Sequence, residues 1–477
     1  MSRDRIKHID LIRYMKGLNY KSSEIGICFG VAHMAMQAIL AGDYQRFNAR
    51  LADINERPEN PSPDIRAFLD GIEIYHNSRY YKHLSETGTV TEAQNSALAL
   101  TLVQPTSIEK KGGIESMVSF SGAYASRSEL TEHFKIFRAA LLSEPELKSP
   151  VAFILNDANH AIAVGFDPTK NKWLLADAED LPIKEIDSDM AIALAVKYAL
   201  NGMLSKAAIF STTIYATKAQ SIALDRAFSQ IESNPEWEKI HTVTPEKAVL
   251  IDKQGTSWLL ITHHIETMYK LLLAGANPNQ QAQNGLTALR MALQNRDIEM
   301  AKMLLDFGAN PNIATKKGIT PFMSAAYQNL SDFFILLLEK GGNLDQKDEK
   351  GLSARMISAM PGHEKIAKAL REFEEKKAKK MALSNQDLIS LKEKIIHILQ
   401  EPDTRTTGLT QFSPSKEKVI PTEFITKIQQ SVSRNEIAEH IGLYKAQVSE
   451  PRLTELLDRC TELLSSENAP LKNSNSS

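Results

Sequence analysis

The amino-acid sequence predicts an α+β domain over residues 1–218, a helical connector over 219–250, an all-α repeat solenoid over 251–373 and a helical region over 374–466. Three observations predict this order. A glycine-marked pattern recurs between Gly255 and Gly351. Strand-like runs gather between Val151 and Tyr215, behind helix-like segments. The chain after Glu374 reads as helix interrupted by turn-rich sequence.

The repeats are the clearest element. From Gly285 to Gly318 and from Gly318 to Gly351 the step is 33 residues, and the triplets that begin at Gly275, Gly308 and Gly341 keep it. Each unit ends a helix in Gly, crosses a hairpin and restarts a helix at Thr287, Thr320 or Ser353. Glycine takes the left-handed position at a helix end, and a hydroxyl caps the next helix. Apolar runs such as Met303-Leu304-Leu305 and Leu336-Leu337-Leu338 cannot be buried within one unit and need a neighbour. This pattern resembles ankyrin repeats, whose Thr-Pro-Leu-His tetrapeptide is kept in part as Thr320-Pro321-Phe322-Met323. About four repeats are expected, with a short first one from Gly255 and a charged last one ending near Phe373. The resemblance implies a protein partner, held at the hairpin tips by Gln283, Asn284, Lys316, Lys317, Glu349 and Lys350.

Composition bounds the rest. The 477 residues suffice for about three domains, 43% of them are hydrophobic, and the formal net charge is −2. No global field draws such a chain to nucleic acid, so direct nucleic-acid binding is not expected. Two cysteines, Cys28 and Cys460, are too few for a disulfide framework or a thiolate metal site, and no metal or cofactor is expected. Neither a cleavable signal peptide nor a membrane span is read, and a monomer is expected. The run Lys376-Lys377-Ala378-Lys379-Lys380, preceded by acidic residues, is read as a solvated, charge-laced helix rather than a nuclear-import patch. Residues 467–477 are polar and read as a disordered tail.

In the first domain, helix-like segments over Ile25–Ala41 and Ser128–Ser143 precede strand-like runs over Val151–Leu155, Ala161–Phe166, Lys172–Ala176 and Ala207–Tyr215. Cys28 stands in Gly26-Ile27-Cys28-Phe29-Gly30, ahead of an apolar helix. A thiol at a helix N-terminus is acidified by unpaired N–H groups and the helix dipole, and flanking glycines let a substrate backbone approach. His160 begins one strand-like run and Asp177 follows the next, so a hairpin would set the carboxylate beside the imidazole and leave its other nitrogen for the thiol. Asp167 and Asp180 compete for the orienting role, and Asp177 is preferred because it ends a strand. His33, five residues after Cys28, lies about 140° away around a helix and is read as a packed or surface residue. Cys460 is read as a small core residue, and His263, His264 and His363 as residues of repeat helices.

A cysteine starting a helix, then a strand-borne His160 within Asn159-His160-Ala161-Ile162, then Phe166-Asp167-Pro168 and Asp177, resembles the papain-like cysteine proteases, in particular their bacterial effector branch. The resemblance spans residues 1–218 and implies a catalytic triad of Cys28, His160 and Asp177. Such enzymes carry an oxyanion-hole Gln about six residues before the nucleophile. Ser22 stands there, with Asn19, Ser23 or the Cys28 N–H alone as substitutes. With repeats behind it, the layout resembles the ankyrin-repeat effectors that Legionella delivers into host cells. That resemblance implies transfer without a cleavable signal and action on a host protein in the host cytosol, or in the nucleus. Two functions are carried forward: a thiol hydrolase (protease, deamidase or acyltransferase) that selects its substrate through the repeats, and an inactive protease-like scaffold that redirects a host complex.

Overall fold

The computed structural model describes residues 6–20, 27–76, 106–202, 204–400, 420–448 and 451–466. The tail over 467–477 and the positions of Ser22, Ser23 and Gly26 lie outside the described residues.

The chain opens with α1 (His8–Gly17), α2 (Cys28–Ala41), α3 (Tyr44–Asn55) and α4 (Pro63–His76). The 14 residues of α2 carry no charged side chain, and every one from Gly30 to Leu40 is buried. A helix that is apolar around its whole circumference belongs in a core, where each buried Ile or Leu contributes about 1.5–3 kcal/mol. It ends at Gly42, whose φ of 72° supplies the left-handed cap. Gly30 sits where α2 meets α4: a Cβ there would stand 2.2 Å from the carbonyl oxygen of Ile72. This glycine therefore serves helix packing, and the expectation that it opens the backbone to a substrate is corrected.

After the short α5 (Thr106–Glu109) come β1 (Ile114–Tyr124), α6 (Arg127–Ser143), β2 (Val151–Asn156), β3 (Ala161–Asp167), β4 (Lys172–Ala176), β5 (Lys184–Ile186), α7 (Asp189–Asn201) and β6 (Ala208–Thr217). The six strands form one antiparallel sheet in the order β1-β6-β2-β3-β4-β5. Residues of β3 are buried on both faces. One face packs on α2 through Ile39, Ala163 and Leu174, and the other carries Phe137, Phe153, Val164 and Trp173. Residues 219–250 contain α8 (Ser221–Glu232), α9 (Pro235–His241) and α10 (Pro245–Ala248), and Leu224, Phe228 and Ile240 share the core of the second face.

The repeats follow as α11 (Trp258–Ile261), α12 (Ile265–Leu273), α13 (Ala288–Gln294), α14 (Ile298–Asp306), α15 (Pro321–Tyr327), α16 (Ser331–Glu339) and α17 (Ala354–Ser358). Ser257, Thr287, Thr320 and Ser353 each accept the N–H three residues on, capping the first helix of their repeat. Successive hairpins stack by backbone approach. A Cβ on Gly285 would stand 2.8 Å from Thr315 Cα, and one on Gly318 2.9 Å from Asp348 Cα. Asparagines tie the layers together. Asn279 donates Nδ2 to Gly308 O at 3.0 Å and accepts Asn310 N–H at 2.7 Å, and Asn312 repeats the pair on Gly341 and Asn343 at 3.2 and 2.6 Å. The series stops at Asp345, whose carboxylate takes Arg355 instead. A Cβ on Gly351 would meet nothing within 4 Å. His263 and His264 fall between α11 and α12, and His363 just before the next helix, so none lies within a repeat helix.

The chain divides into two units at Ala367 and Lys368. Here α18 runs unbroken over Glu364–Leu399, past the expected repeat boundary at Phe373, and its Lys376, Lys377, Lys379 and Lys380 are exposed. In the second unit α18 packs with α19 (Thr422–Gln430), α20 (Arg434–Lys445) and α21 (Pro451–Ser466). Leu391, Ile395, Phe424, Ile428, Ile437, Ile441, Leu457 and Cys460 form its core.

Candidate active site

The register of the sheet sets the site. Ala163 pairs with Ala176, so His160, just before β3, and Asp177, just after β4, stand at the same end of the sheet. Cys28, half-buried, is the first residue of α2 and packs against that core. His160 Nε2 lies 2.8 Å from Asp177 Oδ1, with side chains only 12% and 10% exposed, and the Cys28 side chain is close enough to His160 to favour its charged form. With Nε2 directed at the carboxylate, Nδ1 is left for the thiol.

Burial alone would push the His160 imidazole down, but bonds to Asp177 and Cys28, and the attraction of both, raise it to about 10. Burial likewise works against the Asp177 carboxylate, yet the bond and charge of His160 hold it below its ordinary value. The arrangement favours the imidazolium form of His160 beside an ionised Asp177.

The rival carboxylates are placed elsewhere. Asp167 accepts Thr169 N–H, the Thr169 hydroxyl and Lys170 N–H in the turn at the far end of β3, and Asp180 pairs with Lys184. Asp177 Oδ1 also accepts Glu179 N–H at 3.0 Å, and Glu179 meets His8 of α1 at 2.7 Å. His33 is buried, its Nδ1 is 2.9 Å from Phe29 O, and its ring stacks on Tyr75; burial pushes it down to about 4. A histidine so held is packing. Asn19, a proposed oxyanion residue, takes φ 67° at the end of α1 and is exposed.

Sequence reading missed Asp157. Its Oδ1 accepts the N–H groups of Asn159 and His160, both at 2.6 Å, and so closes the turn that carries His160. The signal was present: an Asp two residues before an Asn in a short connection favours such a side-chain turn.

The expected binding residues separate into two groups. Asn284 donates Nδ2 to Ala158 O at 3.0 Å, and Gln283 donates Nε2 to Lys253 O at 3.1 Å. Both side chains are exposed, and each amide also makes a bond within the chain. Lys316, Lys317, Glu349 and Lys350 are exposed. Among the described residues no group of three or more His, Cys, Asp or Glu could hold a metal ion, and no helix is long and apolar enough to cross a membrane.

A family model for ankyrin repeats, in three copies, matches residues 260–348. These repeats are therefore ankyrin repeats, a scaffold for protein–protein interaction, joined to an N-terminal mixed α/β region with one antiparallel sheet. No curated protein matches the chain.

Proposed function

We propose that the chain binds a partner protein through its ankyrin repeats and acts on it as a thiol hydrolase, with Cys28 as nucleophile, His160 as acid and base, and Asp177 as the carboxylate that orients and charges His160. The observation that carries the reading is the buried His160–Asp177 pair, with Nε2 on the carboxylate at 2.8 Å, and Cys28 beside it at the start of α2. In the reaction Cys28 sulfur adds to an amide carbonyl, and the imidazolium gives its proton to the leaving nitrogen. Water, deprotonated by His160, then cleaves the thioester and restores the thiol. Protease and deamidase chemistry share these steps, and an acyltransferase differs in the second, where an amine or hydroxyl acceptor takes the place of water and receives the acyl group. On the resemblance to papain-like effectors, the substrate is a host protein, and the enzyme reaches it by translocation into the host cell.

A second reading is an inactive scaffold with the same fold, and the specific observation behind it is Ser22 where a Gln is expected. Alkylation by iodoacetamide separates the two. As an enzyme, the wild type is labelled at Cys28, buried Cys460 is spared, and His160→Ala lowers the rate by roughly 10²-fold or more. Equal labelling of wild type and His160→Ala would sink the enzyme reading.

A further inference from the structure

The turn that carries His160 is held from both sides. On the inside, Asp157 accepts two consecutive N–H groups of the turn, and Asp157 N–H in turn bonds His160 O at 3.1 Å. On the outside, the only carbonyl between Asp157 and Asn159, that of Ala158, accepts Asn284 Nδ2 from the second ankyrin hairpin. The Asn284 amide is itself fixed, because its Oδ1 accepts Leu286 N–H at 2.9 Å and leaves Nδ2 a single direction. The hairpin behind it is anchored as well. Gln283 N–H bonds Gln254 O of the first hairpin at 2.7 Å, and Asp252 of that hairpin accepts Asn201 Nδ2 at 2.8 Å, the same Asn201 that bonds both backbone groups of Ile209 in β6. A continuous path of hydrogen bonds thus runs from β6 through two ankyrin hairpins to the residue before Asn159-His160.

This rigidity matters because His160 must meet two partners at once, Asp177 on one nitrogen and Cys28 on the other. A misplacement of about 1 Å can cost on the order of 10²-fold in rate. We propose that Asn284 is a positioning residue for the Cys28 site: the ankyrin array, through the Asn284–Ala158 bond, holds His160 in register with Cys28 and Asp177. The repeats then serve catalysis as well as capture, and a protein that takes over the Asn284 amide alters the reactivity of Cys28 without touching it.

The inference rests on the thiol-hydrolase reading, and the test keeps the two apart. Asn284→Asp retains the oxygen that accepts Leu286 N–H and removes the donor to Ala158, so the hairpin persists while the strut is cut. The full chain is alkylated with iodoacetamide from about pH 5 to about pH 9, beside Asn284→Ala and the surface control Lys302→Ala. Expected is a shift of the acid limb of the Cys28 rate profile by about one pH unit, equivalent to about a tenfold slower reaction on that limb. Lys302→Ala should match the wild type in both its rate profile and its melting temperature. The proposal is overturned if both Asn284 variants give the wild-type profile while His160→Ala abolishes the fast reaction. A wild type whose Cys28 reacts independently of His160 overturns the hydrolase reading and this inference with it. Should Asn284→Asp fail to fold, the profile of Asn284→Ala decides alone.

Discussion

At the scale of single residues, charge and close packing set the strongest expectations. His160 is raised from 6.5 to about 10, so the native state holds its proton more tightly than the unfolded chain. Its contribution to stability is complete below pH 6.5 and declines as the pH climbs to about 10; that of Asp177, lowered from 3.8, is present above that value and is lost in acid. Asp177→Asn keeps the shape and removes the charge. The stability gap between wild type and this variant, read by urea unfolding, should therefore narrow steadily from pH 7 towards pH 10, and a constant gap would falsify the ion-pair assignment. Gly30→Ala is expected to destabilise by about 1–3 kcal/mol or more, because the new methyl group meets the Ile72 carbonyl, a backbone atom that cannot turn aside. A wild-type melting temperature for that variant would mean that α2 and α4 can separate freely. Asp157 and Gly30 were both visible as letters in the sequence. Their roles depend on what approaches them from elsewhere in the chain, and a single sequence does not contain that.

The secondary-structure elements were legible to different degrees, and the reason is periodicity. Glycine at steps of 33 residues and the capping Thr287, Thr320 and Ser353 mark the repeats because each repeat solves the same local problem. The strands Val151–Asn156, Ala161–Asp167 and Lys172–Ala176 were visible as short apolar runs buried on both faces. Missing were β1, where Glu115, Ser116, Ser119 and Ser121 interrupt the apolar pattern of a largely half-buried edge strand, and β5, only three residues long. Equally invisible was the Asn284–Ala158 bond, which joins residues 126 apart in sequence. Within the repeats, Asn312→Ala removes one bond donated and one accepted across a layer. A loss of about 1–2 kcal/mol is expected in urea unfolding, and Asn279→Ala should match it, since the two asparagines make the same pair of bonds. Markedly unequal losses would argue that the layers are not equivalent.

Across the molecule, acid should act chiefly through histidines buried without charge. Burial pushes His33 and His241 to about 4 and His133 well below 6.5, while the ring of His133 and that of His241 share the hydroxyl of Tyr124. Unfolding releases all three to take up protons below pH 6.5, so stability is full above that value and falls as the pH drops towards 4. Asp157, raised to about 6 mainly by burial, works the other way by holding a proton in the native state. His263 is lowered by burial as well, so the histidines outnumber Asp157 and unfolding takes up protons on balance near pH 5. Urea midpoints at pH 7 and pH 5 check this, and equal midpoints would show that the histidines are charged in the folded protein. The glycine stack has a direction of its own. Its first hairpin is fastened to β6 through Asn201, whereas among the described residues a Cβ on Gly351 would meet nothing within 4 Å. Fraying therefore has one entrance: the fourth hairpin exchanges its amide hydrogens first, the opening travels back hairpin by hairpin, and the two hairpins beside His160 are the last to let go.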